Sequence, residues 1–338
     1  MLHCRMVDGW TVDAPSSPRC LKPCACATYD DFIDSREQSV AYPPGTEPLP
    51  SALAPVLGAR RDGSAGVDSS RDLLMTVLGE LVLPHGGTAW TQTLIALLDL
   101  LDVRDKAARQ ALARMCDRGW LARERIGRQT RWRLTGFARD LLEAGAERIY
   151  DFGQRARGWD GSWLVLLASV PERERHVRYR MGLGLSWAGF GSIGQGVWLS
   201  PWRQQEAAVA DLLNELGVEA TSFHAELGRL GSGPALAAAA WDLPALRERY
   251  DRFLADTEPL RSRTPRGAEA AAELATLVHR WRRFPFLDPD LPAELLPPDW
   301  PAPAAARRFA ELRGELLPAA HEWWRALEAE LTPANVPA

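Results

Sequence analysis

Apolar residues recur at helical spacing in three consecutive segments that begin shortly after residue 69. The first segment, Arg71–Leu83, places its leucines and valines on one stripe, and a Pro-His-Gly-Gly turn ends it. The second segment is Trp90–Leu101 and the third is Asp102–Arg118. Asp102 is the predicted N-cap of the third segment and Gly119 is its predicted C-terminal stop. These patterns predict three successive helices.

Two short segments of alternating polar and apolar residues follow the third helix. They cover residues 120–126 and 131–134 and flank a turn, Gly127–Thr130, that contains a glycine. Such a pair predicts a β-hairpin. The order of three helices and a hairpin is typical of a winged helix-turn-helix, which we place at about residues 69–136.

The pattern changes from Trp163 onward, where a run of apolar residues indicates a buried strand. The predicted elements are a strand, a helix, two short strands, a helix and a strand, at 163–170, 172–185, 190–193, 197–199, 204–216 and 219–227. The order β–α–β–β–α–β is that of a ferredoxin-like domain.

The predicted fold class is therefore α+β with several domains. Residues 1–68 contain eight prolines and no sustained apolar period, which predicts a disordered N-terminal extension. A winged helix DNA-binding domain at 69–150, a ferredoxin-like central domain at 151–240 and a helical C-terminal domain at 241–338 would follow. The proline-rich run Leu287–Pro303 is apolar enough that we expect it to pack against its neighbours.

The charge of the chain is concentrated in one place. The 338 residues have a net charge of −4, but ten lysines and arginines face only three acids between Val103 and Arg133, a local net charge of +7. The distribution of charge, rather than its total, directs a protein to DNA. The sequence contains neither an apolar run long enough to span a membrane nor a secretory signal, so we expect a cytoplasmic protein without a membrane partner.

The third predicted helix has one apolar arc and one polar arc. The polar arc carries Lys106, Arg109, Gln110 and Arg114. Lysine and arginine neutralise phosphates, and arginine and glutamine can form two hydrogen bonds with guanine and adenine respectively. This composition favours reading of a major groove. The alternative is a solvated surface helix, because arginine and glutamine are also good helix formers.

The hairpin carries Arg125, Arg128 and Arg131, together with Arg133, and few acids to pair with them. A glycine at its tip permits close approach to a minor groove or to phosphates. Exposed ion pairs contribute little to stability, so these arginines favour DNA contact over a structural role. We predict that Arg125, Arg128 and Arg131 contact DNA.

Other motifs do not predict a metal site or an enzyme. The N-terminal His3 and cysteines could bind zinc, but their spacing matches no usual structural zinc site, and a reduced tail is the alternative. These cysteines are Cys4, Cys20, Cys24 and Cys26. The GxGxxG pattern at Gly189–Gly194 is preceded by a helix and followed by a strand, the opposite of a dinucleotide site, so we interpret it as a turn between strands. We expect no cofactor, no metal and no catalytic residue.

Several motifs spread over about Ser69–Ala329 resemble one known family. They are LPHGGTAW at 83–90, Arg109-x4-Arg114 with RGWL at 118–121, WDGxW at 159–163 with VPE at 170–172, GFG at 189–191 with GVW at 196–198, and RFPFLDP at 283–289 with Leu291-Pro292, Leu295-Leu296-Pro297 and Trp300. Together they resemble the PaaX transcriptional repressors of phenylacetate catabolism. Residues 1–68 depart from that family's usual pattern.

The resemblance implies a homodimeric repressor that binds palindromic, double-stranded operator DNA and is released by an acyl-CoA, namely phenylacetyl-CoA. It also implies that the central domain is similar to a CRISPR-adaptation nuclease. Such nucleases use an aspartate at the end of the first strand, where this chain has Ala168-Ser169-Val170, so the likeness should concern fold alone.

An acyl-CoA effector requires cations for its phosphates and an apolar pocket for its acyl group. The candidate cations are Arg173, Arg175, Arg178 and Arg180 on the central helix. Surface ion pairing is the simpler explanation of these four arginines. An activator of the same fold, and a nuclease or acyl-CoA hydrolase built on the central domain, are the alternative functions.

Overall fold

A computed structural model describes residues 70–153, 158–194 and 196–332. The fold is mixed α+β, with two small antiparallel sheets and a helical C-terminal region. The predicted disordered extension and its cysteine and histidine cluster lie outside the described residues.

The first predicted helix forms as α1 (Ser70–Val77) and continues as a π-helical turn (Leu78–Val82) and a 3-10 turn (Leu83–His85). Its apolar stripe is buried, as the pattern predicts. A short strand, β1 (Thr88–Trp90), and helix α2 (Thr91–Leu100) come next.

Helix α3 (Asp105–Asp117) begins three residues later than predicted. The predicted N-cap, Asp102, is wrong because its φ of +60° is left-handed, whereas an N-cap residue has an extended backbone. The predicted stop at Gly119 is confirmed: its φ is +71°, and the N–H of Trp120 donates to the carbonyl of Met115 at 2.9 Å, as in a Schellman motif.

The predicted hairpin forms from β2 (Leu121–Ile126) and β3 (Gln129–Leu134). Ile126 pairs with Gln129, so the turn between them has only two residues. Gly127 takes the positive φ, +60°, that this turn requires. Strand β1 pairs with β3 to give the sheet order β1-β3-β2. Helix α4 (Gly136–Asp151) leaves the sheet, with Thr135 as its N-cap.

The central region has the predicted element order β–α–β–β–α–β. Its elements are β4 (Ser162–Ala168), α5 (Arg175–Trp187), β5 (Gly191–Gly194), β6 (Val197–Ser200), α6 (Glu206–Leu216) and β7 (Ala220–Glu226). The strand order is β5-β6-β4-β7, and all neighbouring strands are antiparallel. Helix α5 begins at Arg175 rather than at the predicted Glu172. Both helices pack on one face of the sheet through Leu164 and Leu166.

The C-terminal region is helical. It contains α7 (Gly233–Ala240), α8 (Leu243–Thr257), α9 (Gly267–Trp281), α10 (Phe284–Leu287) and α11 (Ala302–Leu331), with 3-10 turns at Glu258–Ser262 and Ala293–Leu295. The proline-rich run between α10 and α11 packs as expected. The indole N–H of Trp202 in the central region donates to the carbonyls of Pro289 and Asp290, at 3.3 and 3.2 Å.

One apolar core joins helices from the two ends of the described chain. It contains residues of α1, α2 and α3 together with residues of α8, α9 and α11. Polar groups buried at this junction are also paired. Thr76 and His279 share a hydrogen bond of 3.1 Å, and the indole N–H of Trp281 donates to the carbonyl of Ile149 at 3.0 Å.

A buried carboxylate marks the same junction. Glu80, whose side chain is 1% exposed, pairs with Arg313 of α11 at 2.8 Å and accepts a hydrogen bond from the hydroxyl of Tyr150 in α4. Burial, reinforced by the Glu80 carboxylate, raises the pKa of Tyr150 above its usual range, so the phenol remains a donor. The network therefore ties three helical segments together.

We expect the substitution Glu80→Ala to lower the free energy of unfolding by about 3 kcal/mol, because it leaves the Arg313 guanidinium without its carboxylate in a largely buried site. Chemical denaturation followed by circular dichroism measures this decrease. The matched control is Arg252→Ala, which removes an exposed pair with Glu248 and should cost about 0.5 kcal/mol or less. Equal decreases in the two variants would contradict the assignment.

Candidate nucleic-acid interface

Helix α3 exposes most of its basic side chains on one side. Its four predicted contact residues are all exposed: Lys106, Arg109, Gln110 and Arg114. The opposite side buries Ala108, Ala111, Leu112 and Met115 in the core. Small alanines let this helix pack closely on its neighbours, and the long polar side chains consequently project from the molecule.

One of these residues already has an ionic partner. The Nε of Arg109 lies 2.5 Å from a carboxylate oxygen of Asp105, one helical turn earlier, and both side chains are more than half exposed. Exposed i,i+4 pairs contribute only about 0.3–0.5 kcal/mol. A phosphate or a guanine could therefore replace the Asp105 carboxylate at little cost.

The hairpin lies next to α3 in the chain, and its arginines differ in their surroundings. Arg125 and Arg128 are exposed, the second of them in the two-residue turn. The expectation that few acids pair these arginines is wrong for Arg131 and Arg133. Both donate to the carboxylate of Glu124, at 3.1 and 2.8 Å.

Strand register explains the Glu124 pairs. Glu124 stands directly opposite Arg131, and Arg133 lies two residues further along β3, on the same face of the sheet. Hydrogen bonds from Arg133 hold the pKa of Glu124 below its usual value, with further lowering by Arg131. The carboxylate therefore stays ionised at neutral pH and holds two of the hairpin's arginines in place.

Trp90 completes this face of the sheet. It pairs with Arg131 across β1 and β3, and the Arg131 guanidinium lies 5.8 Å from the centre of the indole ring, a cation–π distance. Beside it, Thr91 accepts a hydrogen bond from the Trp132 indole at 2.9 Å and donates to the Thr130 carbonyl at 2.9 Å. The chain pattern did not predict these roles, because they depend on the register of β1 against β3.

The four candidate effector residues lie together at α5. Arg173 precedes the helix and the others are on it, and all four are exposed. Arg173 lies 3.5 Å from Glu174, and Arg178 donates to the carbonyl of Val170 at 3.2 Å. Surface ion pairing, the simpler explanation, thus describes Arg173, while Arg178 is held by a backbone carbonyl.

The interpretation of Gly189–Gly194 as a turn between strands is wrong for most of the segment, because Gly191–Gly194 form strand β5. Gly189, which follows the end of α5, and Gly194, at the turn into β6, have positive φ angles, and the element that directly follows the glycines is strand β6 and not a helix. The phosphate-binding arrangement of strand, glycine loop and helix is therefore not formed here. Within the described ranges, no three His, Cys, Asp or Glu side chains converge in a way that could hold a metal ion. No described helix combines the length and apolarity needed to cross a membrane.

We expect the carboxyl of Glu124 to titrate below 4.5, its ordinary value. Because the folded-state pKa is lowered, the stabilisation from this carboxylate is present above about pH 4.5 and disappears as the pH falls through the folded value. A carbon-detected NMR titration measures the pKa directly. The substitution Arg133→Ala should raise it toward 4.5, and an unshifted value in the unaltered protein would contradict the paired geometry.

Three family models match this chain. The model for PaaX-like protein matches residues 69–138, the PaaX protein central Cas2-like domain matches 156–237, and the PaaX-like protein C-terminal domain matches 241–326. Together they cover both sheets and the helical C-terminal region.

One named relative and one solved structure are similar to most of this chain. The transcriptional repressor PaaX of Escherichia coli (strain K12) is 32% identical over 266 residues, which is 75% of this chain and 82% of that protein. The solved structure of the uncharacterized protein Rv0674 from Mycobacterium tuberculosis matches 76% of this chain and 98% of its own, with a TM-score of 0.52 and 25% identity. The resemblance found in the motifs is thus confirmed over the length of the fold, and this chain belongs to the PaaX family.

Proposed function

We propose that this protein is a cytoplasmic transcriptional repressor that binds double-stranded operator DNA through residues 70–134, acting as a winged helix-turn-helix. The observation that carries the proposal is the exposed basic face of α3 beside a basic hairpin, in a chain whose E. coli relative is named a transcriptional repressor. The repressor family gives no reason to assign a catalytic activity.

In this proposal α3 enters the major groove. Lys106 and Arg114 are long exposed cations suited to phosphates or guanine, and Gln110 is suited to adenine. Arg109 would exchange the Asp105 carboxylate for DNA. The buried alanines on the other side of the helix supply a rigid support, which base reading requires.

The hairpin would act as the wing. Arg125 and Arg128 are exposed near its tip and are the best placed for a phosphate or a minor groove. Arg131 is held between Trp90 and Glu124, so its guanidinium helps to fix the wing as well as to supply charge. The wing and α3 together would span adjoining parts of one binding site.

A second copy of the chain would supply the other half of a palindromic operator. Strand β7 is an edge of the central sheet, and nearly all of its residues are exposed. Phe223 of β7 is 50% exposed and Leu167 of β4, on the same face, is 43% exposed. An exposed edge with apolar side chains supports a self-complementary contact in this proposal, and a two-fold axis there would put two half-sites about one helical turn, or a multiple of it, apart.

The effector would be an aryl-acyl-CoA such as phenylacetyl-CoA, acting on the operon for an aromatic acid. Support comes from family membership and from the chemistry of the exposed arginines at α5: Arg173, Arg175, Arg178 and Arg180. These cations suit the phosphates of coenzyme A.

The double substitution Arg109→Ala and Arg114→Ala should abolish the electrophoretic shift of the promoter fragment of the protein's own operon, because it removes two groove-facing cations. The fold should be retained, since both side chains are exposed. The matched control removes Arg249 and Arg252, two exposed arginines of α8, and should still bind. Unchanged binding by the α3 variant would refute the assignment of this helix.

Titration with phenylacetyl-CoA should release the unaltered protein from the same fragment, as followed by fluorescence anisotropy. Coenzyme A and phenylacetate, added separately, are the matched ligands and should act only weakly, because each offers part of the recognised chemistry. If phenylacetyl-CoA never releases the DNA, the effector assignment is wrong while DNA binding stands.

A further inference from the structure

The C-terminal end of α11 holds Trp90 by both of the tryptophan's N–H groups. The backbone N–H of Trp90 donates to Oε1 of Glu328 at 3.0 Å, and its indole N–H donates to the hydroxyl of Thr332 at 3.0 Å. The Thr332 hydroxyl in turn donates to the carbonyl of Glu328 at 2.7 Å. Two residues one helical turn apart therefore fix the backbone and the side chain of a tryptophan that lies 238 positions earlier in the sequence than Glu328.

The Glu328 carboxylate of α11 meets Trp90 at the N-terminus of helix α2, where a negative charge is stabilising. Trp90 is the N-cap residue of α2, and the first turn of a helix favours negative charge. Burial raises the pKa of Glu328, while the Thr93 hydroxyl and then the backbone N–H of Trp90 oppose that rise. A half-buried carboxyl needs hydrogen-bond partners, and the backbone N–H of Trp90 is one of the partners of Glu328.

From Trp90 the interactions lead directly to the hairpin. Trp90 lies opposite Arg131 on β3, and Arg131 lies opposite Glu124 on β2. The three side chains form one row across the sheet, joined by the cation–π interaction and by the 3.1 Å ion pair. Arg125 and Arg128 lie beyond this row, toward the tip of the hairpin, on the two strands and the turn that the row holds together.

The end of α11 needs its own interactions to be held. The middle of the helix is fixed by the pair of Arg313 with Glu80. Between that pair and Glu328 lies Pro318, which has no N–H and so interrupts the hydrogen-bond ladder of the helix. Beyond the proline, the fully buried Trp324 holds α11 in the core, and Glu328 and Thr332 add polar contacts at its last turn.

We propose that Glu328 and Thr332 are positioning residues for DNA binding. They hold Trp90 and, through the row of Trp90, Arg131 and Glu124, they set the hairpin so that its tip reaches the DNA backbone while α3 occupies the groove. This inference rests on the proposed DNA-binding function.

The test is the substitution Glu328→Ala in the full chain, with the promoter duplex as probe. Removing a negative charge would by itself strengthen binding to DNA, so a weakened complex shows that the hairpin is no longer positioned. We expect affinity to fall about tenfold. The slope of log affinity against log salt should become shallower by about 0.9 for each DNA phosphate that the variant no longer neutralises. Thr332→Val should also lower the affinity for DNA, because it removes the hydroxyl that accepts from Trp90, whereas Thr332→Ser keeps that hydroxyl and should bind DNA like the unaltered protein.

The matched control is Glu330→Ala, which removes the same charge from an exposed position on the same helix. It should leave the affinity equal or slightly higher, with an unchanged salt slope. If Glu328→Ala behaves like Glu330→Ala, the positioning role is refuted.

A second measurement does not require DNA. Hydrogen exchange of the free protein should become faster in residues 121–134 of Glu328→Ala and stay unchanged in α9. Faster exchange throughout the chain would indicate a general decrease in stability and would contradict a positioning role. If the unaltered protein binds no duplex at all, the proposed function fails, and the hydrogen exchange of the hairpin still decides whether Glu328 fixes it.

Discussion

The apolar core shared by the first and last helices of the described chain is the constraint on which the other features depend. Leu74 and Leu98 from the N-terminal helices lie in the same core as Trp281 and Trp324 from the C-terminal helices, and all four are fully buried. Helix α3 therefore packs on a layer that is itself supported by α9 and α11. The proposed DNA-reading surface is one side of this joint structure and not an independent small domain.

Buried polar interactions fix the geometry that apolar packing leaves free. Hydrophobic packing is non-directional, so it brings helices together without setting their rotation or translation. The Glu80 network, the Thr76–His279 bond and the Glu328–Trp90 bond each join an early segment to a late helix at one defined position. Each of these bonds fixes an early segment against a late helix, and the proposed DNA-binding surface, α3 with the hairpin, packs on those early segments.

Periodicity in the sequence was sufficient to predict most helices and strands, and the basic arc of α3, because burial follows directly from the spacing of apolar residues. Local capping was less predictable. Asp102 has the right side chain for an N-cap, but its backbone is left-handed, and sequence alone does not show that. Gly119 was predictable because few other residues tolerate its conformation.

For the candidate site, the sequence predicted which basic residues are exposed on α3, but not which partners the hairpin arginines have. The pairing of Arg131 and Arg133 with Glu124 depends on the register of β2 against β3. A shift of one residue would move these side chains to opposite faces of the sheet and abolish the pairing. The link from Glu328 to Trp90 has no local signal at all, since tertiary packing brings the two residues together.

The most direct test of the proposed DNA-reading role is to sequence the DNA that the purified full-length protein retains from fragmented genomic DNA of its own organism. We expect enrichment of one palindromic sequence whose half-sites lie about one helical turn, or a multiple, apart, and disappearance of that enrichment when phenylacetyl-CoA is added. Retained DNA that shows no common sequence would contradict the claim that this surface reads DNA.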